Sequence, residues 1–178
     1  MNKAYKFRAM PNAEQRILFA KTVGCARFVY NRMLADKIAH YKETGKMLHN
    51  TPAQYKAEFP FLREVDSMAL CNAQIQVQTA YKNFFRRVRE GGKPGFPKFK
   101  SRRHSRQSYR TNGGKIVDRN HIALPKLGTV RAKVSRPLQG RFMSVTVSLD
   151  AAGCYFATFL CTDVPAKDMP ATDREVGI

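Results

Sequence analysis

Between Lys3 and Met10 the side chains alternate, with Tyr5 and Phe7 on one face and Lys6 and Arg8 on the other. That period of two predicts a half-buried strand with a basic outer face. Pro11-Asn12 stops it, and Asn12 with Gln15 three residues on has the form of a capping box. From Asn12 to about Lys42 the period becomes helical, with Leu18, Cys25, Phe28, Val29, Met33, Ile38 and Tyr41 along one side. Gly24 lies inside this run, where it costs ~1 kcal/mol against Ala, and marks a bend or a tight contact. Thr44-Gly45 ends the helix. A second capping box, Thr51-Pro52-Ala53-Gln54, starts a short helix with Pro at its first position. Pro60 interrupts, and a longer helix is expected from about Asp66 to Arg89. Its apolar stripe is Leu70, Ala73, Val77, Ala80, Phe84 and Val88, and its basic stripe Lys82, Arg86 and Arg89.

After Gly91-Gly92 the text loses both periods. Residues 93–106 form a basic linker punctuated by Pro and Gly. Short strands follow at 108–111, 115–117, 121–124, 129–134, 141–149 and 154–161. Asn112-Gly113-Gly114 and Asp150–Gly153 are turn signals between them. Six short strands with regular turns suggest a small barrel or sandwich that the first strand could join, with the helices inserted between. The expected class is α+β.

Composition narrows the function. The chain has 178 residues, 32 Lys and Arg against 13 Asp and Glu, and a net charge of +19. Its hydrophobic content of 43% is too high for a disordered basic tail, so the charge sits on a folded object that needs an anionic partner. No apolar run approaches the ~20 residues of a spanning helix. Residues 1–10 hold no apolar signal region, so the expectation is a cytoplasmic chain with no membrane partner. Cys25, Cys71, Cys154 and Cys161 are scattered, with no C-x-x-C pair, and the four His do not supply zinc spacing. Reduced thiols and no bound metal are expected. Most of the acids fall at caps, turns and helix faces, and no catalytic motif is present, so neither catalytic residues nor a small-molecule substrate is expected. The positive signal is residues 82–110, with eleven Lys and Arg against Glu90 alone, interleaved with Phe84, Phe85, Phe96, Phe99 and Tyr109. Charge with aromatic faces suits a nucleic-acid backbone and some base stacking.

Several ordered segments carry a family likeness. They are Lys3-Ala-Tyr-Lys-Phe-Arg8 with Pro11-Asn-Ala-Glu-Gln15, Gly24-Cys-Ala-Arg-Phe-Val-Tyr-Asn-Arg-Met-Leu34, and Ala80-Tyr-Lys-Asn-Phe-Phe85. Gly95-Phe-Pro-Lys-Phe-Lys100, Ser108-Tyr-Arg-Thr111 and Leu124-Pro-Lys-Leu-Gly128 continue it. Collinear over nearly the whole chain, they resemble TnpB, the RNA-guided nuclease encoded by certain bacterial transposons. The resemblance implies an oligonucleotide-binding-like β-barrel, the wedge domain, from residues 1–11 and 93–172. A helical recognition lobe, residues 12–92, would be inserted after the first strand. It implies a guide RNA and double-stranded target DNA as partners. TnpB's nuclease domain opens with Val-Gly-Ile-Asp, whose Asp is its first metal-binding acid. Here residues 173–178 end Glu175-Val-Gly-Ile178, one residue short of that Asp. Cleavage is therefore not carried over and the chain is expected to be inactive alone. It needs no cofactor of its own, and Mg²⁺ is expected for the missing nuclease domain.

By the same resemblance the flanking DNA motif would be read by Asn50, Ser67, Cys71, Asn72 and Asn112. Lys82, Arg86, Lys98, Lys100, Arg102, Arg103, Arg106 and Arg110 would hold nucleic-acid backbones. Gly24, Arg27, Tyr30 and Asn31 fit helix packing or nucleic-acid contact equally. The function implied is the guide-RNA and target-DNA binding half of an RNA-guided endonuclease associated with transposition. The alternatives are a free-standing, nuclease-deficient DNA- or RNA-binding protein such as a repressor and, more weakly, a membrane-surface or ribosome-associated protein.

Overall fold

The computed structural model describes residues 1–103 and 106–165; the expected start of a further domain at 173–178 lies outside them. Strand β1 (Lys3–Met10) buries Tyr5, Phe7 and Ala9 and exposes Lys6, Arg8 and Met10, as its alternation requires. Asn12 then caps helix α1 (Ala13–Thr44): its Oδ1 accepts from the Gln15 N–H at 2.9 Å, and Gln15 Oε1 accepts from the Asn12 N–H at 3.0 Å. Gly45, at φ 68°, takes the left-handed turn that ends α1. Helix α2 (Pro52–Glu58) is followed by a 3-10 turn at Pro60–Arg63. The Asp66 carboxylate accepts from the Met68 N–H at 3.0 Å and starts helix α3 (Ser67–Arg89).

Six strands follow: β2 (Ser108–Thr111), β3 (Lys115–Asp118), β4 (His121–Leu124), β5 (Gly128–Lys133), β6 (Arg141–Leu149) and β7 (Tyr155–Thr162). All seven strands join one antiparallel sheet in the order β2-β6-β7-β1-β5-β4-β3, so the α+β class holds. The first strand of the chain sits at its centre. The expected closed barrel does not form, because no ladder joins β2 to β3. Yet only residues 112–114 connect those two edges, so the sheet must curl until they lie within ~14 Å. The carbonyl of Arg110 on the outer edge of β2 accepts the side-chain amide of Asn72 on α3, at 3.1 Å, in place of a strand. Gly114, at φ 137°, then turns the chain away.

Two apolar clusters result. The inner face of the sheet packs Phe7, Tyr109, Ile122, Val145 and Phe159 with Phe19 and Val23 of α1 and Ala69 of α3. The second cluster is helical, with Val29, Met33 and Leu34 of α1 against Leu62, Leu70, Val77 and Tyr81. Helix α1 serves both, so its buried side is not the single stripe expected. Phe19, Val23, Tyr30 and Leu34 are buried, whereas Tyr41 is 55% exposed; on α3, Val88 is 49% exposed. None of the described helices is long and apolar enough to cross a membrane.

Gly24 has ordinary helical surroundings, and a methyl group built on its Cα would meet nothing within 4 Å. The tight contact considered for it is absent. Gly24→Ala should therefore raise stability by about 1 kcal/mol, read as a higher thermal midpoint in calorimetry. A lower midpoint would contradict this.

Candidate nucleic-acid interface

The linker between α3 and β2 has no secondary structure of its own, because Pro94, Gly95 and Pro97 deny it a period. It is nevertheless held in place. Asn31, on α1, clamps the backbone of Lys100 from both sides: its amide donates to the Lys100 carbonyl at 2.8 Å, and its oxygen accepts from the Lys100 N–H at 2.8 Å. The Lys100 ammonium lies 4.1 Å from the centre of the Tyr30 ring and donates to Gln76 Oε1 of α3. Partial burial there pushes its pKa below the usual lysine range.

This clamp walls a groove of about 510 Å³ between α1, α3, the linker and β2. Five cations line it: Arg27 from α1, Lys98 and Lys100 from the linker, then Arg106 and Arg110. No carboxylate among the described residues does so. Arg110 is oriented by donating from Nε to Ser144 Oγ at 2.9 Å. Tyr109 supplies part of the wall; its phenol is buried close to the Asp66 carboxylate, and both effects raise its pKa and keep it neutral. Arg27, Tyr30 and Asn31 are thus groove residues or their support. Their spacing on one helical side was visible in the sequence, but the linker they face was not.

Of the other backbone candidates, Lys98, Arg102, Arg103, Arg106 and Arg110 are exposed and Lys100 is half-buried. Arg102 and Arg103 follow the groove-lining residues of the linker without lining the groove, and Lys82 and Arg86 lie exposed on α3 outside it.

The five candidate base-reading residues separate by burial. Ser67 is exposed and accepts from Lys56 Nζ at 2.8 Å. Asn112 is exposed, and Cys71 is half-buried. Asn72 is buried, and its amide donates to the Met68 carbonyl (2.9 Å), the Arg110 carbonyl (3.1 Å) and Asn112 Oδ1 (3.0 Å). Asn72 and Asn112 are therefore brought together. The Asn72 donor is already engaged, and a bidentate contact to a base would need it back. Asn50 is buried elsewhere, between α1 and α2, where its amide donates to the Tyr55 hydroxyl at 2.8 Å. That hydroxyl donates in turn to the Asp36 carboxylate at 2.6 Å.

A second basic surface covers the outer face of the sheet. Register places Arg110, Thr146, Thr158 and Lys6 in one row across β2, β6, β7 and β1. The next row is Ser108, Ser148, Phe156, Arg8 and Lys133, and the Lys6 ammonium sits 4.0 Å over the Phe156 ring. The alternation of β1 announced Lys6 and Arg8; the strand order that sets them beside Lys133 and Phe156 had no local signal. Among the described residues no three of His, Cys, Asp and Glu come together as a metal site would require.

Residues 1–46 match the family model of a helix-turn-helix domain found in OrfB proteins of the IS605 type. In this structure that stretch holds one strand and one unbroken helix. Over its whole length the chain is 35% identical to a Streptomyces pristinaespiralis protein provisionally named an RNA-guided DNA endonuclease. The alignment runs over 189 positions and covers 46% of that protein. The chain is also 30% identical, over 163 positions, to InsQ of Escherichia coli K12, which carries the same provisional name. That match covers 87% of the chain and 39% of InsQ. The chain spans less than half the length of these relatives.

Proposed function

We propose that this chain, the N-terminal part of a TnpB-type protein, grips a guide RNA and the duplex flank of a DNA target for a transposon-associated, RNA-guided DNA endonuclease. Residues 1–11 and 93–172 act as the wedge, whose sheet takes RNA on its outer basic face. The helices, residues 12–92, act as the recognition lobe. The observation that carries this reading is the groove, where Arg27, Lys98, Lys100, Arg106 and Arg110 converge with no acid among its described lining residues. Such a lining neutralises phosphates whatever the sequence, which positions a nucleic acid without specifying it. Specificity then belongs to other side chains, and of the five candidates Ser67 and Asn112 are the two that stand exposed.

Phosphate contacts release counterions, so binding must weaken steeply as salt rises. If ~6 phosphates are contacted, log affinity falls with log salt at a slope near −5. Fluorescence anisotropy with a structured RNA and with duplex DNA measures this directly. A slope near zero for both would refute the reading.

A further inference from the structure

We propose that the aromatic cleft between the C-terminal halves of α1 and α3 takes one unstacked base of a single-stranded nucleic acid. This rests on the nucleic-acid reading above and adds a binding site outside the groove.

The apolar stripe of α3 continues past the helical core, so its last turns have no partner to bury them. Phe85 is 48% exposed, Val88 49%, and Phe96 of the linker 47%. Single exposed apolar residues are ordinary; a cluster marks a binding surface. These rings form one. Phe84 meets Phe96 edge-on at 5.3 Å and Phe85 at 5.2 Å, and Tyr81 lies 6.2 Å from Phe85 with their planes 25° apart. Tyr41 of α1 completes the opposite wall of a cleft of about 360 Å³, within the ~300–1,000 Å³ range of small-ligand pockets.

Charge decides the occupant. Residues 82–98 carry six Lys and Arg against Glu90 alone, and Lys42 lies on the wall of the cleft itself. An apolar partner helix gains nothing from such a rim. A base attached to a phosphodiester chain matches both parts, with a π-face for the rings and phosphates for the cations. The buried Lys37 ammonium also lines the cleft. It donates to the Leu48 carbonyl, and its remaining N–H groups can meet an acceptor on the base edge. The cleft and the groove also share the linker as a wall. Phe96 lies in one and Lys98 in the other, two residues apart, so a strand held in the groove reaches the cleft within ~7 Å of linker.

The test uses the whole 178-residue chain and a variant carrying Phe85→Leu and Phe96→Leu, which keeps apolar bulk and removes two π-faces. Both are titrated with a mixed-sequence single strand, a fully abasic strand of equal length and a blunt duplex. The variant should bind the intact strand about 10-fold more weakly, with the abasic strand, the duplex and the salt slope unaffected. Equal binding of the intact strand by both proteins, with normal salt dependence, would overturn the cleft proposal and leave the groove standing. A wild-type chain that binds none of the three would remove the parent reading instead. Displacement at Phe85 and Phe96 by an acidic amphipathic peptide, but not by the strand, would assign the cleft to a protein partner and overturn the proposal.

Discussion

A variant with Arg27, Lys98, Lys100, Arg106 and Arg110 all changed to Gln should lose about 10³-fold in affinity for RNA and for DNA at moderate salt. Each cation that neutralises a phosphate contributes roughly −0.9 to the salt slope, so losing five should flatten it by about 4 to 5. The loss should be uniform across sequences, because these side chains face a backbone with no base identity to read. The structure also separates this set from its neighbours. Arg102 and Arg103 belong to the same basic run but lie outside the groove lining, so changing those two alone should cost far less. All five cations are exposed or half-exposed and none belongs to either apolar cluster, so folding should survive. Anisotropy titrations over several salt concentrations, with a circular dichroism check of fold, measure each point. A loss confined to one target sequence, or an unchanged slope, would contradict the groove.

The elements of this chain were legible because their signals are local. Asn12 with Gln15, Thr51 with Gln54, the alternation in 3–10 and 141–149, and the Asn112-Gly-Gly turn each report on a few neighbouring residues. What failed depends on distant partners. A single stripe on α1 presumes one packing surface, but the helix leaves the sheet near Val23 and meets α3 near Val29, so its buried side shifts and Tyr41 is left in solvent. Barrel closure was expected from strand count, but no ladder joins β2 to β3, and the Arg110 carbonyl of β2 accepts from Asn72 of α3 instead. The same long-range effect governs the site. The basic run 82–110 was plain as charge, yet only the fold sorts Lys98, Lys100, Arg106 and Arg110 into one groove with Arg27. By resemblance Asn50 would read the DNA flank, but it is buried with its amide on the hydroxyl of Tyr55, five positions on. Asn31 lies 69 positions from the backbone it clamps, and nothing in its own surroundings shows that reach.

Asn31 should matter to nucleic-acid binding without touching nucleic acid. Its amide and oxygen hold both backbone groups of Lys100, so the cations of the linker stand in the groove before any ligand arrives. Asn31→Leu keeps similar bulk but leaves the Lys100 N–H and C=O without partners. Unpaired buried groups cost about 1–3 kcal/mol each, so the linker should instead detach and hydrate. Binding must then reorder it, and ordering costs about 1–2 kcal/mol per residue in backbone entropy. Even if only one or two residues must be reordered, affinity should fall about 30-fold. The salt slope should stay as it was, because every cation remains and makes the same contacts once bound. That combination distinguishes lost preorganisation from lost charge, which would lower affinity and slope together. Hydrogen exchange gives an independent reading in the free protein: the Lys100 amide, protected by Asn31, should exchange much faster in the variant. Unchanged exchange at Lys100 together with a flatter salt slope would show that Asn31 contacts the ligand itself and that the clamp is incidental.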